Sequence, residues 1–224
     1  MKRISDYIFI YIPAFFILFS ISWVLLYRCA PVRWTPLMLA RSIEHSRAGA
    51  DYCNRQTWVS IEDVSPVLIE AVLLTEDQRF YSHNGFDIAE LRNMSKEHRL
   101  RGKGIRGCST ISQQVAKNCF TFGKHTWLRK ATEAYYTVLI ELFWGKNRIL
   151  EDYLKIAETG RGLFGVEAAC QRYFCHSAKE ISISDAAALA CILPKPLTRT
   201  PGLVKSLHAH RHSMVASELG KRLN

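Results

Sequence analysis

Residues 127–158, WLRKATEAYYTVLIELFWGKNRILEDYLKIAE, carry the most regular pattern in the chain. Ala134, Val138 and Leu142 recur every four residues, and Ile149, Leu150, Tyr153 and Leu154 continue the stripe. That spacing puts apolar side chains on one face of a helix. Gly145 predicts a break into two helices. Upstream, residues 62–80 read as a helix, with Ser65 as N-cap, Pro66 in the first turn, and Val67, Leu68, Ala71, Val72 and Leu74 as its apolar stripe. Residues 109–119 read as another, capped by Ser109 or Thr110. Downstream, ISDAAALACIL at 183–193 predicts a helix ended by Pro194 and Pro196. No convincing series of strands appears, so the predicted fold class is mainly α.

The 224 residues are 48% hydrophobic, enough for one domain with a real core, and carry a net charge of +10. Such a balance calls for an anionic partner: nucleic acid, a phospholipid surface or a phosphorylated substrate. The N-terminus narrows the choice. Residues 7–27, YIFIYIPAFFILFSISWVLLY, hold no charge. As a helix the run would be about 31 Å long, the thickness of a bilayer core. Tyr7, Tyr11, Trp23 and Tyr27 fall near its ends, as interfacial aromatics do. A cleaved signal peptide is the competing reading, but the run is long for one and no A-x-A site follows. A lipoprotein site is disfavoured because Arg28 directly precedes Cys29. Lys2 and Arg3 on one side and Arg28 and Arg33 on the other do not decide the orientation.

The expected organisation is a tail at 1–6, a transmembrane anchor at 7–27, a connector at 28–50, a catalytic domain at 51–207 and a basic tail at 208–224. Within the domain, residues 88–107 form a mobile basic segment. They include Arg92, Lys96, Arg99, Arg101, Lys103 and Arg106, with three glycines near the end. It reads as a solvated loop or as a flap that touches phosphates or headgroups. Seven cysteines show neither a CxxC pair nor zinc spacing and read mostly as small core residues. In the tail, His208 and His212 at i,i+4 could bind zinc on one helical face, but no third ligand is evident.

Three segments could carry chemistry. Glu76 ends an apolar run, where desolvation would raise its pKa and make it a better base; the plain alternative is a helix-end ion pair with Arg79. Gly107-Cys108-Ser109-Thr110 leads into a helix bearing Gln113, Gln114, Lys117 and Asn118. Free backbone N–H groups at such a start bind anions; the alternative is an ordinary capped helix. Arg129-Lys130-Ala131-Thr132-Glu133 sets two cations before an acid, as a phosphate clamp or as a simple Arg129–Glu133 pair.

Taken in order, these segments resemble the motifs of the glycosyltransferase family 51 domain. This is the peptidoglycan transglycosylase module of bifunctional penicillin-binding proteins and of stand-alone enzymes. EDQRFYSHNGFD resembles its first motif, GCSTISQQVAKN its second and RKATE its third; KNRILEDYLKIAETGRGLFGVEAACQRYF and AALACILPKP complete a match over roughly residues 55–201. The short length and RGLFGVEAACQRYF look like the monofunctional, membrane-anchored branch. The resemblance implies a lysozyme-like catalytic domain behind a single transmembrane helix, facing the periplasm from the inner membrane. It implies lipid II and a lipid-linked glycan chain as substrates, with cell-wall synthesis or division proteins as candidate partners.

By the same resemblance, Glu76 and Glu133 are catalytic. Asp77, Phe80, His83, Ser109, Thr110, Gln113, Gln114, Lys117, Asn118, Arg129 and Lys130 bind substrate. No tightly bound cofactor is implied, although a divalent cation, Mg or Mn, could assist. Three departures from the pattern stand out: Cys108 before Ser109, Lys155 after Tyr153-Leu154, and His125 where an arginine often precedes the third motif. The last bears on pyrophosphate contacts. A lysozyme-like hydrolase is one rival, but it has no need of Lys117, Arg129 and Lys130. A non-catalytic membrane protein that binds anionic lipid is another, and it leaves the ordered acids unexplained. Nucleic acid is excluded as a partner, because the cations are interleaved with the acid motifs behind an anchor.

Overall fold

The computed structural model describes residues 2–47, 55–101, 109–123 and 126–223. Helix α1 runs from Lys2 to Cys29, and its segment Phe9–Cys29 is long and apolar enough to cross a membrane. Residues 28–50, expected as a connector, contain helix α2, Pro36–Arg47. Helix α3, Pro66–Glu76, starts as predicted: the Ser65 hydroxyl accepts from Val67 N and Pro66 opens the first turn. The basic segment differs from the expected loop. Ile88–Arg101 is helix α4; residues 102–107 lie outside the described residues.

Helix α5 is Ile111–Phe120, and Thr110 rather than Ser109 is its N-cap. The 127–158 stretch forms helix α6, Trp127–Phe143, and helix α7, Lys146–Ile156. The break falls at Gly145, whose φ of +77° is open to glycine and strained for other residues. Three short strands were not foreseen. β1 (Arg55–Gln56), β2 (Glu158–Gly160) and β3 (Leu163–Phe164) form one sheet in the order β1-β3-β2, with β1 parallel and β2 antiparallel to β3. At two or three residues each, they are too short to show alternation. Helices α8 (Val166–Phe174), α9 (Ile183–Ile192), α10 (Pro201–Leu207) and α11 (Ala209–Leu223) complete the chain.

Helix α9 is the centre of one half of the core. Its residues from Ala186 to Ile192 are all buried, and it packs against α3, α10 and α11. Its alanines let those neighbours approach closely. Residues 208–224 are therefore more than a solvated tail. Leu219 is fully buried, Arg222 Nη1 donates to Glu70 on α3 at 2.6 Å, and His212 Nε2 donates to Ser184 O at 2.8 Å. That bond occupies one of the two histidines considered for zinc.

The other half is built on α5, α6 and α7. Helix α6 divides cleanly by face. Glu133, Tyr136, Thr137 and Ile140 point inward; Leu128, Val138 and Leu142 are exposed on the opposite side. Helix α1 docks against this pair. Trp23 meets Phe120 edge-on at 5.6 Å, and Phe120 stacks on Tyr136 at 4.6 Å. Ser20 shares a 2.6 Å hydrogen bond with Tyr135, and Trp144 Nε1 donates to Val24 O at 2.8 Å. Each polar group at the joint thus has a partner.

Candidate active site

Glu76 is the last residue of α3 and is half-buried. Its Oε2 accepts from Gln114 Nε2 at 2.7 Å. Gln114 is oriented in turn by Tyr153, whose hydroxyl reaches Gln114 Oε1 at 3.4 Å. Burial keeps the Tyr153 phenol protonated, with Glu76 and Asp77 adding to that effect, so it serves as a donor. Burial also pushes the Glu76 carboxyl above its usual value; Gln114, Arg211 and Lys117 pull it back down. The expected alternative of a Glu76–Arg79 pair is overturned. Arg79 instead forms a two-pronged ion pair with Asp87, whose carboxylate also accepts from Glu90 N at 2.8 Å and caps α4. Glu76 is left with one oxygen held by Gln114 and, among the described residues, no ion-pair partner.

The neighbouring acid does different work. Asp77 is buried, accepts from Ile111 N at 3.0 Å and from His83 Nε2 at 3.0 Å. It ties the end of α3 to the start of α5, where a carboxylate meets free N–H groups and the positive end of the helix dipole. Phe80 is buried in the core with the Lys146 ammonium 4.5 Å from its ring centroid. Asp77, Phe80 and His83, expected to contact substrate, thus form a support beneath Glu76.

Thr110 and Gln113 are also structural. Gln113 Oε1 accepts from Thr110 N at 3.0 Å, and Thr110 Oγ1 accepts from Gln113 N at 3.2 Å, a reciprocal cap. Thr110 Oγ1 donates to Gly85 O at 2.6 Å. Gly85 itself cannot be replaced easily: its φ is +88°, and a Cβ would lie 2.7 Å from Thr137 Cγ2. Ser109 is half-buried beside Gln114, and Asn118 is buried with its Oδ1 unpaired among the described residues. Cys108 and His125 lie outside the described residues.

The second acid sits among cations. Glu133 is buried; its Oε2 is 3.2 Å from Arg129 Nη1, and its Oε1 pairs with Lys130. The Arg129–Glu133 pair is the local i,i+4 contact that the spacing allowed. Lys117, half-buried on α5, lies within electrostatic reach of Glu76, Glu133, Arg129 and Lys130. Burial lowers its pKa, which the nearby Glu133 opposes. Its ammonium has no hydrogen bond or ion pair among the described residues, so it is a desolvated cation open to an incoming anion.

Two contributors were not singled out from the sequence. Arg211, on α11, acts electrostatically on Glu76 and on the Cys191 thiol. Arg41, on α2, grips Glu158 through Nε and Nη2 at 3.0 and 3.1 Å, and Glu158 also acts on Lys117. Both depend on contacts distant in sequence, which no local motif shows.

A family model described as Transglycosylase matches residues 44–220, from the last turn of α2 into the last turn of α11. Similar curated proteins include the biosynthetic peptidoglycan transglycosylases of Bdellovibrio bacteriovorus, 44% identical over 81% of this chain and 72% of its own, and of Bacteroides thetaiotaomicron, 44% identical over 82% and 73%. The one from Haemophilus influenzae is 45% identical over 82% of this chain and 74% of its own. A mainly α, lysozyme-like catalytic domain behind one apolar N-terminal helix, with Glu76 and Glu133 set about a cationic centre, is therefore a member of the transglycosylase family.

Proposed function

We propose that the protein is a membrane-anchored peptidoglycan glycosyltransferase that polymerises lipid II. The observation that carries the reading is the placement of Glu76, a half-buried carboxyl with no ion-pair partner among the described residues, near Lys117, whose ammonium likewise has none among them, and the Arg129–Lys130–Glu133 group.

Each group then has a task. Glu76 takes the proton from the acceptor sugar's 4-hydroxyl as that oxygen attacks C1 of the donor. The bond from C1 to the pyrophosphate oxygen breaks, the electron pair leaves with undecaprenyl pyrophosphate, and the anomeric centre inverts. A raised carboxyl pKa suits the base, since it strengthens proton transfer near neutral pH. The leaving group needs positive charge rather than a proton. Lys117, Arg129 and Lys130 would supply it, Lys117 and Arg129 from positions largely shielded from water, where such charges act strongly. Glu133 holds Arg129 and Lys130 in place. Ser109 and Gln114 lie nearest the base as hydrogen-bonding groups for sugar or phosphate, with Asn118 one turn further along α5.

Among the described residues no three His, Cys, Asp or Glu side chains come together as a metal-binding group. A divalent cation, Mg or Mn, would in this reading only add to the positive charge that Lys117, Arg129 and Lys130 supply to the leaving group. The substrate's lipid tail fits the architecture. Exposed Trp127, Leu128, Val138 and Leu142 lie along α6, the helix that carries Arg129, Lys130 and Glu133 and against which α1 packs. An inner-membrane location, with the domain in the periplasm, follows from where lipid II is polymerised.

Incubation of the purified full chain with labelled lipid II tests the reaction. Long glycan strands and released undecaprenyl pyrophosphate are expected, with preformed strands left intact. Shortening of preformed strands without synthesis would make the protein a hydrolase instead.

A further inference from the structure

The end of the apolar helix is closed by a side chain from the catalytic domain. The last carbonyls of any helix lack intrahelical partners. At the end of α1, Arg148 Nη2 donates to both Tyr27 O and Ala30 O, at 3.0 Å each. A guanidinium there also complements the negative end of the helix dipole. Arg148 belongs to α7, the helix that carries Tyr153, and Tyr153 orients Gln114 on Glu76. A single side chain therefore connects the end of the anchor to the helix that supports the base.

Arg148 is itself held from below. The Asp152 carboxylate is fully buried, and its Oδ2 lies 2.9 Å from Arg148 Nε. The two meet off the hydrogen-bonding axis, and among the described residues neither Asp152 oxygen has another partner. The groups that act on Asp152 are Arg148, Lys155 and Glu151 from its own helix, and the Cys119 thiol from α5. Glu151 is shared: it pairs with Lys155, and its Oε2 lies 3.6 Å from Arg148 Nη1, a longer and more exposed contact than that of Asp152. A buried carboxylate with so little else to satisfy it has one evident use, which is to aim Arg148.

We propose that Arg148, aimed by Asp152, is a positioning residue that clasps the end of the transmembrane helix to the catalytic domain and so sets the height of Glu76 over the bilayer. The proposal rests on the membrane-anchored reading above. Two further contacts, Trp144 to Val24 O and Ser20 to Tyr135, hold the helix deeper along its length. Arg148 closes the joint at the end where the chain leaves the helix. A substrate confined to the membrane meets the base at a fixed height, so a tilt at this joint displaces base and acceptor relative to each other. Burial pushes the Asp152 carboxyl up to about 7. Its charge, and with it the grip on Arg148, therefore weakens as pH falls through neutrality.

The test uses the full chain in two media: liposomes carrying lipid II, and detergent micelles, which impose no planar surface. For Arg148→Ala the liposome rate should fall by about tenfold or more, the scale on which ångström misplacements act, while the micelle rate stays near wild type. Arg148→Lys, which keeps the charge but is shorter and lacks the Nε that faces Asp152, should fall between the two and serves if the alanine variant does not fold. In wild type the ratio of liposome to micelle rate should drop from pH 8 to pH 6, and in Asp152→Asn it should stay flat. Taking the ratio cancels the titration of Glu76. Equal losses in both media, no loss in either, or a wild-type ratio indifferent to pH would overturn the proposal. A readout independent of turnover is deuterium exchange at the amides of residues 28–30 in liposomes, which should quicken in Arg148→Ala. Unchanged exchange there overturns the joint. Absence of polymer from wild type with quickened exchange in the variant would instead count against the assigned reaction alone.

Discussion

Glu76 and Asp77 are adjacent acids with opposite fates. The chain leaves α3 at Asp77, whose extended backbone (φ −161°) turns its side chain inward, onto Ile111 N and His83, while Glu76, still helical, faces Gln114 and Lys117. The base is thus tuned by opposing influences: burial raises its pKa, and Gln114, Arg211 and Lys117 lower it. Arg211→Ala removes one of the lowering charges. The folded pKa of Glu76 should then rise, and the acidic limb of the kcat/KM profile should move to higher pH. Rates measured from pH 5 to 9 check this; a limb that stays put or moves to lower pH would contradict it. Glu76, the Ser109–Lys117 segment and the Arg129–Lys130–Glu133 group were legible in the sequence, because each is a short run of chemically related residues. Arg211 was not, since it approaches Glu76 only once α11 folds back over α3 and α9.

The helices show which signals act locally. Helices α6 and α7 divide at Gly145 as the spacing predicted, and α7 buries its stripe of Ile149, Leu150, Tyr153 and Leu154. In α6 the predicted stripe is on the wrong side: Val138 and Leu142 are exposed, and the buried face is Glu133, Tyr136, Thr137 and Ile140. Helix α2 was read as a connector because its buried residues are few, Pro36 and Met38, and its strongest tie is the pair between Arg41 and the distant Glu158. Helix α4 was hidden by its charge, although Asp87 caps it in the ordinary way. Thr110 and Gln113 looked like sugar contacts, yet their first task is the reciprocal cap on α5. Thr110→Ala should therefore lower stability by about 1 kcal/mol or more, with Thr110→Ser close to wild type. Denaturant midpoints of the two variants decide the point; a stable alanine variant with a specific loss of substrate affinity would restore Thr110 to the binding set.

For the whole molecule, the exposed side of α6 and the apolar face of α1 form one continuous story. Leu128, Val138 and Leu142 are exposed on the helix against which α1 packs, so in the proposed setting they face lipid. A charge placed there should be tolerated in detergent and resisted by a bilayer, at a cost of roughly 2–3 kcal/mol when fully immersed. Leu142→Asp should accordingly keep its melting temperature in micelles and lose activity in liposomes. Equal activity in both media would place this face in water.

All of these roles presuppose that Glu76 is the base of a polymerising enzyme. The most direct measurement compares initial rates of glycan-strand formation from labelled lipid II by wild type and by Glu76→Gln, with folding checked by thermal melting. The amide keeps the shape of the carboxyl but cannot take the proton, so the rate should fall by about 10²–10⁴-fold while the melting temperature holds. Near-normal strand formation by Glu76→Gln would contradict the account.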